Sequence, residues 1–177
     1  MQASSADSEY SEQSSEQDDQ SVGFDYLINT RLASFSGRDR PPGVIPVLEK
    51  MVFLSYWGGR DTFLGLPALE TLELAKSYPV LPPMTQLREL SITEAEEAVY
   101  LPMVPNLEVL TLYRVNLMEL PELPKLRKLC VGQIPHSITL PRYPMLESLT
   151  MLNPLMANGR LVHTLEQYRA AWGRTSN

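Results

Sequence analysis

A solenoid of short repeats stacked around a parallel β-sheet is the fold class that three observations predict. An apolar motif returns about every 20 residues along most of the chain. Proline is frequent, with 15 in 177 residues, against a usual share of about 5%. Apolar residues make up 44% of the chain, enough for a core. The proline load disfavours a helical bundle, because proline lacks the N–H that a helix interior needs.

The motif is proline, any residue, Leu, two residues of any kind, Leu, one of any kind, then an apolar residue. Its first copy reads Pro46-Val47-Leu48-Glu49-Lys50-Met51-Val52-Phe53, and its second runs from Pro67 through Leu69 and Leu72 to Leu74. The third has Thr85 in place of proline and continues through Leu87, Leu90 and Ile92. The remaining copies rest on Leu107, Leu110 and Leu112, on Leu126, Leu129 and Val131, and on Leu146, Leu149 and Met151. The leading leucines stand at 48, 69, 87, 107, 126 and 146, so the steps are 21, 18, 20, 19 and 20.

Such a period with L-x-x-L-x-L is the signature of leucine-rich repeats. Each copy holds one short alternating strand, such as Leu110-Thr111-Leu112, which cannot bury its apolar side alone. Stacked copies pair as a parallel sheet and bury the leucines together. The expected fold is a right-handed leucine-rich-repeat solenoid with the parallel β-sheet on its concave face. The return path spans only about ten proline-rich residues. Extended or polyproline-II segments are therefore expected on the convex side, with short capping segments at both ends.

Four segments follow. Residues 1–22 read as a disordered acidic, Ser-rich tail, residues 23–43 as the N-terminal cap, 44–157 as about six leucine-rich repeats, and 158–177 as a C-terminal capping helix and tail. The cap at 23–43 holds Phe24, Tyr26, Leu27, Leu32 and Phe35, for which a helix is one reading. At the far end a helix is expected over about 161–173, because Leu161, Leu165, Tyr168 and Trp172 share one helical face.

The net charge is −6, from 15 basic and 21 acidic residues. Asp7, Glu9, Glu12, Glu16, Asp18 and Asp19 account for all of it, since no Lys or Arg accompanies them in 1–22. The remainder is balanced, and a neutral body argues against nucleic-acid binding, which needs a basic footprint. One cysteine, Cys130, allows no intrachain disulfide, which fits a reducing compartment. No secretory signal pattern and no apolar run of about 18 residues is visible, so no membrane span is expected.

Catalytic patterns are missing. His136 and His163 lie far apart, and no C-x-x-C or H-E-x-x-H motif supports zinc. Gly58-Gly59 reads as a turn, since no G-x-x-x-x-G-K pattern follows. Cys130 has Lys128 nearby but no expected histidine base. No catalytic residue, metal ligand or cofactor is expected. The expected function is non-enzymatic binding of a protein partner.

The stretch from Leu107 through Leu110, Leu112, Leu117 and Leu120 to Pro121-Glu122-Leu123-Pro124 resembles one repeat of the LPX subtype. Weaker echoes are Leu81-Pro82, Leu101-Pro102 and Leu140-Pro141. That subtype is typical of leucine-rich-repeat effectors of pathogenic bacteria, the YopM and IpaH group. The resemblance spans roughly residues 44–155. It implies an effector acting in a host cell without a classical signal peptide, where the bare sequence reads as cytoplasmic. The asparagine that follows the strand in that family is replaced by Val115 here. The equivalent places elsewhere hold Tyr56, Ser77, Ala95, Ile134 and Pro154. Some relatives carry a ubiquitin-ligase domain with a Cys-x-Asp motif, which Cys130-Val131-Gly132 does not match. An adaptor or substrate-recognition component of a ubiquitin-ligase-type complex, binding a second protein through residues 22–40, is the alternative function.

Residues between the core positions of each strand face outward. They form three rows: Lys50, Thr71, Glu89, Val109, Lys128 and Ser148; Val52, Glu73, Ser91, Thr111, Cys130 and Thr150; Leu54, Ala75, Thr93, Tyr113, Gly132 and Leu152. Glu89, Thr111, Tyr113, Arg114 and Lys128 are the candidate partner-binding residues, since Tyr and Arg are over-represented at binding hot spots. A flanking row, Glu49, Glu70, Arg88, Glu108, Arg127 and Glu147, is expected to be a structural charge ladder. The acidic run Glu94-Ala95-Glu96-Glu97 is expected to be solvated in a return path.

Overall fold

A computed structural model of the chain describes residues 24–38, 41–95, 97–117, 119–134 and 138–173. The acidic segment 1–22 and His136 lie outside them. The elements begin with α1 (Asp25–Ile28), β1 (Leu32–Ser36), β2 (Val44–Ile45), β3 (Phe53–Trp57) and β4 (Thr62–Phe63). They continue with β5 (Thr71–Ala75), β6 (Glu89–Thr93), β7 (Ala98–Val99), β8 (Val109–Tyr113) and β9 (Asn116–Leu117). They end with β10 (Lys128–Gly132), β11 (Thr139–Leu140), β12 (Ser148–Met151), β13 (Leu155–Ala157), β14 (Arg160–Val162) and α2 (Leu165–Gly173).

The long strands form one parallel seven-stranded sheet in the order β1-β3-β5-β6-β8-β10-β12. The stack is a β-solenoid of about six turns plus the coil that carries β1. Period-2 alternation decides what each strand buries. Its second and fourth residues point inward, as Leu72 and Leu74, Leu90 and Ile92, and Leu110 and Leu112 do, and all six are buried. Two more apolar residues at three-residue spacing precede each strand. Leu66 and Leu69 precede β5, Met84 and Leu87 precede β6, and Val104 and Leu107 precede β8. A tight turn makes this spacing work, because the second residue's N–H donates to the first one's carbonyl. That bond is 3.3 Å from Leu69 to Leu66 and 3.2 Å from Leu107 to Val104. All these side chains join one continuous core.

The register corrects the first repeat. Phe53 pairs with Thr71 and Leu54 with Leu72, so Met51, and not Leu48, corresponds to Leu69. The apolar run Leu48, Met51, Leu54 fits L-x-x-L in two frames three residues apart, and pattern alone cannot choose between them. Backbone hydrogen bonds choose, because the N–H groups of Val52 and Phe53 both donate to the Arg31 carbonyl. The same paired bond returns in every later coil, for example from Glu70 and Thr71 to Val52. In the corrected frame Leu54 is core, and Phe53, Ser55 and Trp57 replace Lys50, Val52 and Leu54 in the outward rows. Val52 likewise replaces Glu49 in the flanking row. Gly59 replaces Tyr56 at the place after the strand.

The N-terminal segment is a shorter version of the same coil. Helix α1 makes a single turn, and the rest runs as strand β1, in full parallel register with β3. Leu27 is fully buried, and the Thr30 N–H donates to its carbonyl at 3.0 Å. This is the turn that later coils make before their strands.

The return paths are extended. Short parallel pairs join neighbouring coils at β2 with β4, β7 with β9, and β11 with β13. At the C-terminus the expected helix is shortened. Leu161 sits in β14, antiparallel to β13 across an Asn158-Gly159 turn with φ of 46° and 70°. Both residues are left-handed, as the tightest hairpin turn requires. Helix α2 starts after Thr164, whose hydroxyl accepts from the Gln167 N–H at 3.2 Å. Gln167 reciprocates by accepting from the His163 N–H at 2.6 Å, which holds the helix start in the manner of a capping box. Tyr168 and Ala171 are buried beneath it.

Candidate interaction surface

The outward face of the seven-stranded sheet is built by the first, third and fifth residues of each five-residue strand, and by Ser148, Thr150 and Leu152 at β12. Neighbouring strands lie about 4.8 Å apart, so each row places side chains at regular steps. Four of the five candidates fall on this face. Glu89 stands opposite Thr71 and Val109, Thr111 between Ser91 and Cys130, and Lys128 between Val109 and Ser148. Tyr113 stands between Thr93 and Gly132 and is 37% exposed. Arg114 is not a strand residue. It is the first residue past β8, with φ of 53°, at the end of the sheet.

Two local features shape the face. Glu73 lies opposite Ser91, and Glu89 lies opposite Thr71, so the two carboxylates are diagonal neighbours, roughly 7–8 Å apart between backbones. They flank a shallow depression of about 80 Å3 lined also by Ser91, Val109 and Thr111. Neither is ion-paired among the described residues. The second feature is apolar. Gly132 lies between Tyr113 and Leu152, and a Cβ there would stand 2.8 Å from the Tyr113 ring and 3.0 Å from a Leu152 methyl. The glycine therefore lets ring and methyl close over the strand. Leu152 remains 62% exposed.

Trp57, absent from the sequence-derived rows, ends β3 on this face. The Arg38 guanidinium lies 5.0 Å from its ring centroid, a cation–π contact. The three-residue frame ambiguity had hidden it. Correct alignment of the buried Leu54 and Tyr56 with Leu72 and Leu74 is the signal that recovers it.

The ends of the strands carry a further row. Gly58, Lys76, Glu94, Arg114 and Gln133 all follow their strand directly, and all have φ between 49° and 69°. The N–H groups of the first four donate into the next coil, as from Lys76 to Thr93 at 3.0 Å and from Glu94 to Tyr113 at 2.8 Å. Lys76 pairs with Glu94 at 2.9 Å. The Lys76 ammonium holds the Glu94 carboxyl below the usual carboxylate range, and Arg114 adds to the effect. In the acidic run expected to be solvated, Glu94 and Glu97 do keep exposed side chains and are each paired, Glu97 with Arg60, while Ala95 is fully buried.

The flanking ladder runs Arg88 to Glu108 at 3.0 Å, Glu108 to Arg127 at 3.9 Å and Arg127 to Glu147 at 2.7 Å. Cys130 is exposed, with Thr111 and Thr150 as its cross-strand neighbours. No cluster of three or more His, Cys, Asp or Glu able to hold a metal ion occurs among the described residues. No helix among them is long and apolar enough to cross a membrane. Comparisons with family models, with curated proteins and with solved structures give no match.

Proposed function

We propose that this chain is a non-enzymatic binding module that docks a protein partner on the outward face of its seven-stranded sheet. In this reading the coils are leucine-rich repeats wound in the right-handed sense, and the sheet is their concave side. The observation that carries it is one surface bearing two kinds of recognition group. Glu73 and Glu89, without an ion pair among the described residues, lie beside a shallow depression and suit a basic side chain. The Tyr113–Gly132–Leu152 patch suits an apolar one. Their spread over five neighbouring strands, β5 to β12, fits an extended segment or a helix of a partner, with Thr111 and Lys128 beside them. Exposed aromatic and aliphatic anchors beside polar groups are the usual make-up of a docking surface. The sequence resemblance favours an effector working inside a host cell, and the bare sequence a cytoplasmic protein.

The test is affinity capture with the full chain, compared with a Glu89→Ala/Tyr113→Ala/Lys128→Ala variant of unchanged circular dichroism. Loss of a captured protein in the variant is expected, and equal capture by both overturns the reading. The adaptor alternative rests on the exposed Tyr26, Ile28 and Leu32 of the first coil. It requires that substitutions there, not at Glu89, Tyr113 and Lys128, abolish capture.

A further inference from the structure

We propose that the return side of the solenoid holds a second, separate site: a cleft for a small apolar molecule bearing one hydrogen-bonding group, of which an aliphatic alcohol is the simplest case. This inference is independent of the sheet-face reading.

The cleft arises where the stacking of return paths is interrupted. Thr62 bridges Val80 on one side, and β7 pairs with β9 on the other. Between Val80 and Ala98 no pairing joins the coils among the described residues. A cavity of about 430 Å3 opens there, within the roughly 300–1,000 Å3 range of small-molecule sites. Its walls are apolar, with Leu74 and Ile92 at the floor and Leu81, Val99 and Leu101 around them.

One polar group is set into this lining. Ser77 is 2% exposed, and its Oγ has no hydrogen-bond partner among the described residues. A buried hydroxyl without a partner is costly, and such orphans are rare in folded proteins. The fold does not need it. In the next two coils the same place, three residues after the last inward strand residue, holds Ala95 and Val115, both fully buried. A hydroxyl found at this place in one coil only, and lining a cavity there, is accounted for by a ligand oxygen that pairs with it.

The mouth is polar. The Glu97 N–H donates to the Tyr78 hydroxyl at 3.2 Å, and Arg60 pairs with Glu97 while lying 5.6 Å over the Tyr78 ring. A guest with an apolar body and a single polar atom matches an apolar chamber with one hydroxyl inside.

The test is a titration of the full chain, carrying 13C-labelled Ile, Leu and Val methyls, with 1-octanol followed by NMR. Saturable shifts confined to the lining residues Leu74, Val80, Leu81, Ile92, Val99 and Leu101 are expected. Ser77→Ala, which copies the neighbouring coil and so keeps the fold, is expected to weaken binding roughly three- to tenfold, the effect of one neutral hydrogen bond. Leu81→Trp, which fills the chamber, is expected to abolish the shifts. Absence of saturation overturns the proposal, because the cleft is then a gap that holds only water. Shifts spread through the whole core, or equal affinity of the Ser77→Ala variant, overturn it as well.

Discussion

The hydroxyl of Tyr56 donates a 2.6 Å hydrogen bond to Oδ2 of Asp61, and both residues are buried. Asp61 also accepts from the Gly43 N–H at 2.7 Å through its other oxygen, so one carboxylate ties strand β3 to the chain entering the first return path. The arrangement depends on two glycines. A Cβ on Gly59 would stand 1.8 Å from the Tyr56 oxygen, and one on Gly37 2.3 Å from it.

Removing that hydroxyl leaves a buried charge short of one donor. Tyr56→Phe is expected to cost roughly 1.5–3 kcal/mol, the range for hydrogen bonds to charged groups. Gly59→Ala is expected to cost at least as much, by collision. In the double variant the Gly37 Cα and the Tyr56 ring carbon, both at 2.8 Å, are still too close, yet the worst contact is gone. Urea unfolding of the two single variants and the double variant should therefore give a sum larger than the double variant's loss. Strict additivity would show that the hydroxyl and the glycine do not act on one another.

Glu108 stands between two arginines, Arg88 at 3.0 Å and Arg127 at 3.9 Å, whereas Glu147 meets Arg127 alone among the described residues. All these side chains are substantially exposed, and exposed pairs contribute roughly 0–1 kcal/mol. Glu108→Gln is expected to cost more than Glu147→Gln, with both below about 1 kcal/mol. The difference should shrink in 1 M salt, where screening acts within about 3 Å. Urea midpoints at low and high salt decide it. An unchanged gap in salt would mean that packing of the arginine stems, not charge, sets the order.

The stacked architecture was legible because leucines at fixed spacing have one economical way to be buried. The strands from β5 to β12, the outward placement of Glu89, Thr111, Tyr113 and Lys128, and the alternating signs from Arg88 to Glu147 all follow from that spacing. The first repeat was not legible, since Leu48, Met51 and Leu54 satisfy the motif in two frames and only the bonds to Arg31 separate them. Strand β1 escaped detection because its inward residues are Ala33 and Phe35, with no leucine among them, and Leu32 points outward. The β13–β14 hairpin left a plain signal in Asn158-Gly159, outweighed in the sequence by the helical spacing of Leu161 with Leu165. The cleft beside Ser77 is a property of how two return paths fail to pair, which no single coil encodes.

The left-handed row offers a test of strain. Gln133 adopts φ of 49°, a region that costs a residue with a Cβ about 1–2 kcal/mol. Glycine avoids that cost but loses about 0.5–1 kcal/mol of chain entropy. Gln133→Gly is therefore expected to stabilise by a few tenths to about 1 kcal/mol. The reverse change, Gly58→Ala, is expected to destabilise by more, because φ is 69° there and the new Cβ would also stand 3.0 Å from the Arg38 Cβ. Thermal unfolding compares the two. Destabilisation by Gln133→Gly would show that the Gln133 side chain makes a contribution larger than the strain.

The C-terminal cap should give the protein an alkaline limit. The Tyr168 hydroxyl donates to the Pro141 carbonyl at 2.8 Å and accepts from the Tyr143 N–H at 2.6 Å, while the Tyr143 hydroxyl donates to the Pro121 carbonyl at 3.2 Å. Burial pushes both phenols above their ordinary value of 10, Tyr143 further through its proximity to Tyr168. As pH rises past 10, the unfolded chain releases these protons while the folded chain keeps them. The unfolded state is then favoured, so the contribution is complete below pH 10 and falls above it. The loss is up to about 1.4 kcal/mol per pH unit for each phenol. Tyr143→Phe removes one such group and is expected to be less stable than the parent at pH 8 but to lose less between pH 10 and 11.5. Urea unfolding at those three pH values measures this, and the comparison cancels the lysines that titrate in the same window. Parallel curves for parent and variant would show that the phenol ionises without unfolding the cap.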